Sequence, residues 1–152
     1  MTPQKVKKRI VAQRADYILD MVSEIRSLPL ESRELFLSDR RNVWAAESCL
    51  RRAIEALLDL GRHILAKCFG KGVTEYKQIA DHLEQRGILI PSHASILRAL
   101  AGYRNRMVHF YHEITAEELY AICTKELEDL LTVRERLLAW LRAHPEHLDE
   151  TL

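Results

Sequence analysis

The segment AIEALLDLGRHIL, Ala53 to Leu65, lies at the centre of a long helical pattern. Two interleaved series recur every seven positions around it: Val43, Leu50, Leu57 and Ile64, and Glu47, Ile54, Gly61 and Cys68. Because residues seven apart share one face of an α-helix, this spacing predicts an amphipathic helix from about Asp39 to Phe69. Gly61 on that face would allow another backbone to approach closely, and Gly70 and Gly72 would end the helix.

One helical pattern precedes this helix and three follow it, beginning near residues 6, 74, 92 and 115. The last of them opens with the capping box from Thr115 to Glu118. The chain has few helix breakers, 5 Gly and 4 Pro, which favours long helices. The sequence therefore predicts an all-α, up-and-down bundle of about five helices. We expect a single helical domain over residues 1–142 and a polar, flexible tail over residues 143–152.

The composition suits one globular domain, with 152 residues of which 47% are hydrophobic and 30% charged. Apolar runs fall well short of the roughly 20 residues that span a bilayer, and the basic N-terminal segment lacks the apolar stretch of a signal peptide. We therefore expect a cytoplasmic protein without a membrane contact. The three cysteines, Cys49, Cys68 and Cys123, lie in apolar helical contexts, which predicts buried free thiols. The net charge of +1 does not indicate a general nucleic-acid binder, although a small catalytic site needs only a local cluster of cations.

The sequence RNRMVHFY, Arg104 to Tyr111, concentrates unlike polar groups where the fourth helical pattern ends. Such a set suits RNA cleavage without a metal ion, because the 2′-hydroxyl of RNA is a built-in nucleophile that needs a general base. Histidine exchanges protons near neutral pH, and a guanidinium offers fixed donors to the negative charge that develops at phosphorus. We therefore assign His109 as base or acid and Arg104 as the transition-state clamp. The products would be a 2′,3′-cyclic phosphate and a 5′-hydroxyl.

The neighbouring residues have supporting roles in this hypothesis. Asn105 would orient the imidazole of His109, since residues four apart share a helix face. Arg106 would bind a flanking phosphate, and Tyr111 would position RNA by stacking or hydrogen bonding. Structural roles remain the alternative: a histidine that caps helix carbonyls, a core tyrosine, and solvated arginines, among them Arg104.

The spacing of Arg104 and His109 raises a geometric problem. Side chains five residues apart point about 140° from each other on a regular helix. Either the helix breaks near His109, or two copies of this corner meet across a dimer. We favour the dimer, because it places two arginine–histidine sets around one cleft.

Other candidate sites are weaker. His109 and His112 have the spacing of a metal-binding pair but lack a carboxylate or thiolate set beside them. The tail sequence HPEH, residues 144–147, resembles a disordered end more than a site. The basic pairs Arg40-Arg41 and Arg51-Arg52 are solvated surface or steer RNA towards a cleft. The sequence predicts neither a metal site nor a cofactor.

The corner resembles a known family. Arg104-Asn105-Arg106-Met107-Val108-His109-Phe110-Tyr111 resembles the Arg-x4-His-x-Tyr signature of HEPN-domain ribonucleases, and of their HepT-like toxin branch in particular. Residues 53–65 resemble the long helix of that family, and residues 100–105 resemble the entry to its signature. The resemblance thus covers most of the chain.

This resemblance implies an all-α homodimer in which two signatures line one cleft. It implies a metal-independent endoribonuclease toxin of a type VII-like toxin–antitoxin pair, acting in the cytoplasm. The implied partner is a minimal nucleotidyltransferase (MNT) antitoxin that transfers AMP from ATP onto Tyr111. The added anion would block the cleft that must hold an RNA phosphate. HEPN domains also serve as noncatalytic modules, in which this corner would bind a nucleotide or the antitoxin and cut no RNA.

Overall fold

The regular structure of the chain is almost entirely α-helical, which confirms the predicted all-α fold. The computed structural model describes residues 4–109 and 114–152. The helices are α1 (Lys8–Arg26), α2 (Arg33–Leu37), α3 (Arg40–Phe69), α4 (Tyr76–Gln85), α5 (Pro91–Val108), α6 (Ala116–Lys125) and α7 (Leu127–Ala143), followed by a 3-10 turn at Pro145–His147. Within these described ranges, no helix has the length and apolar character that a membrane span requires.

Seven α-helices occupy the described parts of the chain, where the apolar spacing predicted about five. The short α2 lies in the segment expected to connect the first two helices. Ser32 Oγ accepts a hydrogen bond from the backbone N–H of Leu35 at 3.2 Å, and Phe36 is fully buried.

The predicted fifth helix is divided at Glu126, which has φ −117° and ψ 0°, into α6 and α7. The apolar spacing conceals this break because buried residues continue on both sides of it.

The central helix α3 has the boundaries that the sequence predicted. Its N-cap Asp39 accepts a hydrogen bond from the backbone N–H of Arg41 at 2.9 Å, and its C-cap Gly70 has a left-handed φ of 62°. At Gly61 the helix lies close to α4, since an added Cβ would be 3.0 Å from Leu83 Cδ1 and 3.1 Å from Ile79 Cγ2. This close contact, together with the packing of α5 on α3, brings three helices together at the candidate site.

The core is apolar, because no polar or charged side chain is buried among the residues described. The cysteines are free, as expected, but Cys49 is only half-buried where burial was predicted. Burial raises the pKa of Cys68 to about 11 and that of Cys123 to about 12. Both thiols are therefore protonated and unreactive at neutral pH.

The segments that precede α1 and follow α7 pair with each other. The backbone N–H of Val6 donates to the carbonyl of His147 at 2.7 Å, and the N–H of Asp149 donates to the carbonyl of Val6 at 3.0 Å. Val6 is fully buried and Leu148 is 5% exposed. The segment expected to form a flexible tail is thus packed onto the bundle as far as Asp149. The domain boundary at residue 142 stays a prediction.

Candidate active site

The end of α5 positions the predicted catalytic pair. Pro91 occupies the first turn of this helix, and buried Leu97 and Leu100 hold the helix against the core. The helix ends at Val108, and His109 has extended backbone angles of φ −107° and ψ 121°. Of the two geometric alternatives, a helix that breaks near His109 is therefore what the structure shows. The dimer stays a prediction.

This break lets Arg104 and His109 border the same surface cleft of about 420 Å³. The cleft lies between α3, α4 and α5, and its described lining is Arg62, Thr74, Glu75, Tyr76, Lys77, Arg104, Asn105 and His109. Three of these side chains are cationic and one is a carboxylate, so the described lining is basic, and Arg62 and Arg104 are also ion-paired with Asp59 and Glu55. Such a cluster attracts phosphate groups.

The guanidinium of Arg104 is held from three sides. Its Nε donates to Glu55 Oε1 at 3.2 Å, and its Nη1 donates to Asn105 Oδ1 at 3.3 Å. Its central carbon lies 4.6 Å from the centre of the Tyr76 ring. Glu55 Oε1 also accepts from Arg51 Nη1 at 3.1 Å. These contacts fix the orientation of Arg104, while a guanidinium has five N–H donors and so retains donors for a ligand.

Asn105 and Arg106 have contacts that differ from those expected. The oxygen of the Asn105 side chain accepts a hydrogen bond from Arg104, and its expected role in orienting His109 stays a prediction. Both terminal nitrogens of Arg106 donate to the Glu118 carboxylate, each at 2.7 Å. This bidentate bond lowers the pKa of Glu118 and ties the end of α5 to the first turn of α6. The flanking phosphate that Arg106 was predicted to bind would have to compete with this carboxylate.

His109 is exposed and borders a second cleft as well. This second cleft has a volume of about 380 Å³, and its described lining is Val43, Trp44, Glu47, Met107, Val108, His109 and Ile114. Trp44 is 63% exposed and Val108 is 41% exposed. The imidazole therefore borders both clefts, and the rest of the described lining of the second is five apolar side chains and Glu47.

Tyr111 lies outside the described residues, as do Phe110, His112 and Glu113. The predicted role of Tyr111 in RNA binding and its predicted modification therefore stay predictions. The alternative of a metal-binding pair that includes His112 also falls on this segment.

The sequence interpretation missed the residues on α3 and α4 that surround Arg104. A usable signal was present on α3, where Arg51, Glu55, Asp59 and Arg62 recur at spacings of four, four and three. Such spacing places them in one polar row beside the apolar stripe. Tyr76 lies on α4, and nothing in its local sequence distinguishes a core tyrosine from one that faces a cleft.

Comparison with solved structures supports the fold. The tri-AMPylated HEPN toxin of Shewanella oneidensis, in complex with its MNT antitoxin, superposes with a TM-score of 0.78 at 20% identity, covering 86% of this chain and 97% of the toxin. YutE of Bacillus subtilis, described as a cytosolic protein of unknown function, superposes with a TM-score of 0.74 at 18% identity, covering 88% of this chain and 90% of YutE. At this level of identity, these likenesses show the fold alone.

Comparison of sequences supports the family. The tRNA nuclease HepT of Aphanizomenon flos-aquae is 28% identical over 103 residues, which are 67% of either protein. The family model described as ribonuclease HepT-like matches residues 18–137, about four fifths of the chain. The match includes α3 and the whole of the Arg104–Tyr111 signature, and the resemblance inferred from that signature is confirmed. The chain belongs to the ribonuclease HepT-like family.

Proposed function

We propose that this chain is a metal-independent endoribonuclease and the toxin of a type VII-like toxin–antitoxin pair. The observation that carries the proposal is the end of α5 at Val108, because it allows Arg104 and His109 to border one basic cleft. Membership of the ribonuclease HepT-like family and the 28% identical tRNA nuclease support the same activity.

The reaction is an internal transesterification of RNA. His109 removes the proton of a 2′-hydroxyl, whose oxygen then attacks the adjacent phosphorus. The phosphorane carries extra negative charge, which the fixed guanidinium of Arg104 stabilises. The bond from phosphorus to the 5′-oxygen breaks, and that oxygen takes a proton from an imidazolium. A 2′,3′-cyclic phosphate and a 5′-hydroxyl remain. Arg104 supplies positive charge and His109 supplies proton transfer, so these steps call for no metal ion or cofactor.

The homodimer expected from the resemblance completes this site. A second copy would bring another Arg104–His109 pair, so that one imidazole acts as base while the other acts as acid. Exposed Trp44 and Val108 lie beside His109 and offer an apolar surface for such a contact.

Control of the toxin follows from the position of Tyr111, two residues after His109. An MNT-type antitoxin would transfer AMP from ATP onto the phenolic oxygen and release pyrophosphate. The Shewanella toxin with a similar fold is tri-AMPylated and bound to an MNT antitoxin, which supports this partner. The attached phosphate would repel RNA from the basic cleft. Both the ATP and the RNA that these reactions use place the pair in the cytoplasm.

One observation favours the alternative of a noncatalytic interaction or nucleotide-binding module. The Arg104 guanidinium is paired with the Glu55 carboxylate, so a bound phosphate must compete with an anion already present. In that alternative the corner binds a nucleotide or the antitoxin and leaves RNA intact.

Cleavage of total RNA in excess EDTA, by a chain shown by intact mass to carry unmodified Tyr111, separates the two functions. We expect the wild type to cut, and His109→Ala to lose at least about 100-fold of the rate because proton transfer is lost. His93→Ala, which changes a half-buried histidine near the other end of α5, is the matched control and should cut normally. Wild-type cleavage by His109→Ala would refute the assignment of His109. Intact RNA with the wild type would favour the interaction module.

A further inference from the structure

Arg62 lies in the same cleft as Arg104 and His109, although it belongs to a different helix. Its side chain is 35% exposed, and its Nη2 donates to Asp59 Oδ1, one turn earlier on α3, at 2.7 Å. This ion pair uses one of the five N–H donors of the guanidinium. That leaves four donors on a side chain that lines the cleft.

Tyr76 links Arg62 to the predicted catalytic arginine. The central carbon of the Arg62 guanidinium lies 5.0 Å from the centre of the Tyr76 ring, and that of Arg104 lies 4.6 Å from the same centre. A ring face attracts a guanidinium through its quadrupole, so one tyrosine holds both cations in place. The two guanidinium carbons are thus within about 10 Å of each other, on the scale of neighbouring phosphates along an RNA strand.

We propose that Arg62, held by Tyr76 and Asp59, forms a second phosphate subsite that takes the RNA phosphodiester next to the one being cleaved. The proposal rests on the proposed function in taking RNA as the ligand. Lys77 lines the same cleft and adds charge to the subsite. Arg62 would fix the register of the strand, so that the scissile phosphate falls on Arg104 and its 2′-hydroxyl on His109.

Salt-dependent binding of an uncleavable oligonucleotide tests the subsite. The probe is a fluorescent 2′-O-methyl RNA, which lacks the free nucleophile, and the readout is anisotropy across a salt series. We expect Arg62→Gln to lose on the order of tenfold in affinity and to reduce the slope of log affinity against log salt by about 0.7, the value for one phosphate contact on a single strand. Arg142→Gln removes an arginine in a similar ion pair on α7 and should match the wild type.

A scan of single methylphosphonate linkages then locates the contact. Each probe carries one uncharged linkage, and the wild type should lose affinity at the linkage that Arg62 holds. Arg62→Gln should be insensitive at that linkage and sensitive at the others, which is the signature of a coupled pair. Arg62→Lys keeps the charge but not the planar guanidinium, so it should keep the salt slope and lose several-fold in affinity.

The outcomes separate the subsite from the ribonuclease proposal. Wild-type affinity in Arg62→Gln, a loss shared equally by all linkages, or no binding of the probe by the wild type would overturn the subsite. If Arg62→Gln binds the RNA probe as the wild type does but is displaced from it less readily by free AMP, Arg62 contacts a mononucleotide. That result would also overturn the subsite. Coupling at one linkage, in a protein that cuts no RNA, would support the subsite and remove the ribonuclease proposal.

Discussion

The carboxylate of Glu55, which Arg51 and Arg104 share, fixes the orientation of Arg104 in this structure. Glu55 Oε1 accepts from both Arg51 and Arg104, and the side chains of Glu55 and Arg104 are 26% and 24% exposed. Without that carboxylate, the two guanidinium groups would lose the anion that they share, and they would repel each other more strongly. Glu55 therefore holds Arg104 in the cleft and also competes with phosphate for it.

We expect the positioning effect of Glu55 to exceed the competition. Glu55→Ala should lower kcat for RNA cleavage by about tenfold, since a clamp that is no longer fixed stabilises the phosphorane less. KM should stay the same or fall, because removing a carboxylate makes the cleft more positive. Glu55→Gln keeps an acceptor oxygen for Arg104 Nε and should recover part of kcat.

The matched control for Glu55 is Glu135→Ala, which removes a half-exposed ion-paired carboxylate on α7. It should leave kcat and KM unchanged. A rise in kcat in Glu55→Ala would contradict the positioning role, because it would show that Glu55 mainly withholds Arg104 from the substrate.

At the scale of helices, capping residues predicted where several helices begin and end, but the sequence did not predict which side chains pair between helices. Asp39, Gly70 and Thr115 lie at the helix ends that capping preferences indicated, because a cap acts within a few residues of sequence. The division at Glu126 was missed, since the apolar spacing runs through it. The Arg106–Glu118 pair joins two helices, and such a pair is not visible in the periodicity of either one.

We expect the Arg106–Glu118 pair to contribute to the free energy of unfolding in a way that depends on pH. Arg106→Gln should lower the free energy of unfolding at pH 7 only slightly, because both side chains are more than a third exposed and water screens the pair. The hydrogen bonds from Arg106 lower the pKa of Glu118 in the folded protein, so the contribution is present above the ordinary glutamate pKa of about 4.3 and is lost as the pH falls through the folded-state pKa. Urea unfolding at pH 7 and pH 3 should show the difference between wild type and variant closing at low pH.

Arg106→Gln also tests whether Arg106 pairs with Glu118 or binds an RNA phosphate. If Arg106 belongs to Glu118, the salt slope of binding to the 2′-O-methyl RNA should be that of the wild type. A slope reduced by about 0.7 would instead restore the role in phosphate binding that the sequence predicted.

At the scale of the whole molecule, the sequence predicted the all-α class, which the structure confirms, and a catalytic corner, which stays a prediction, but it did not predict the cleft. Arg104 and His109 were recognisable because their spacing lies within one segment. Arg62 and Tyr76 belong to other helices, and the packing of α4 and α5 on α3 brings them beside Arg104. Contacts between residues distant in sequence depend on tertiary packing, which the periodicity of a single helix does not encode.

The pairing of the segments before α1 and after α7 depends on the same kind of distant contact. His144 stacks on Trp140 with ring centres 4.3 Å apart, and Leu148 is buried next to the backbone pairing with Val6. A segment that looks polar in sequence is thereby held by one leucine and a few aromatic rings. The contribution of that leucine can be measured.

Leu148→Ala should lower the free energy of unfolding by about 2 kcal/mol, the low end for a buried leucine because a chain end can relax around the cavity. Chemical unfolding at neutral pH measures the change. Leu19→Ala on α1 is the matched control. Leu19 is 42% exposed, so its truncation should lower the free energy of unfolding by only a few tenths of the loss in Leu148→Ala. Equal losses in the two variants would mean that the end of the chain adds no stability, as a flexible tail over residues 143–152 would require. A much larger loss in Leu148→Ala would show that the bundle extends to the pairing of Val6 with the segment after α7, and that the domain continues beyond residue 142.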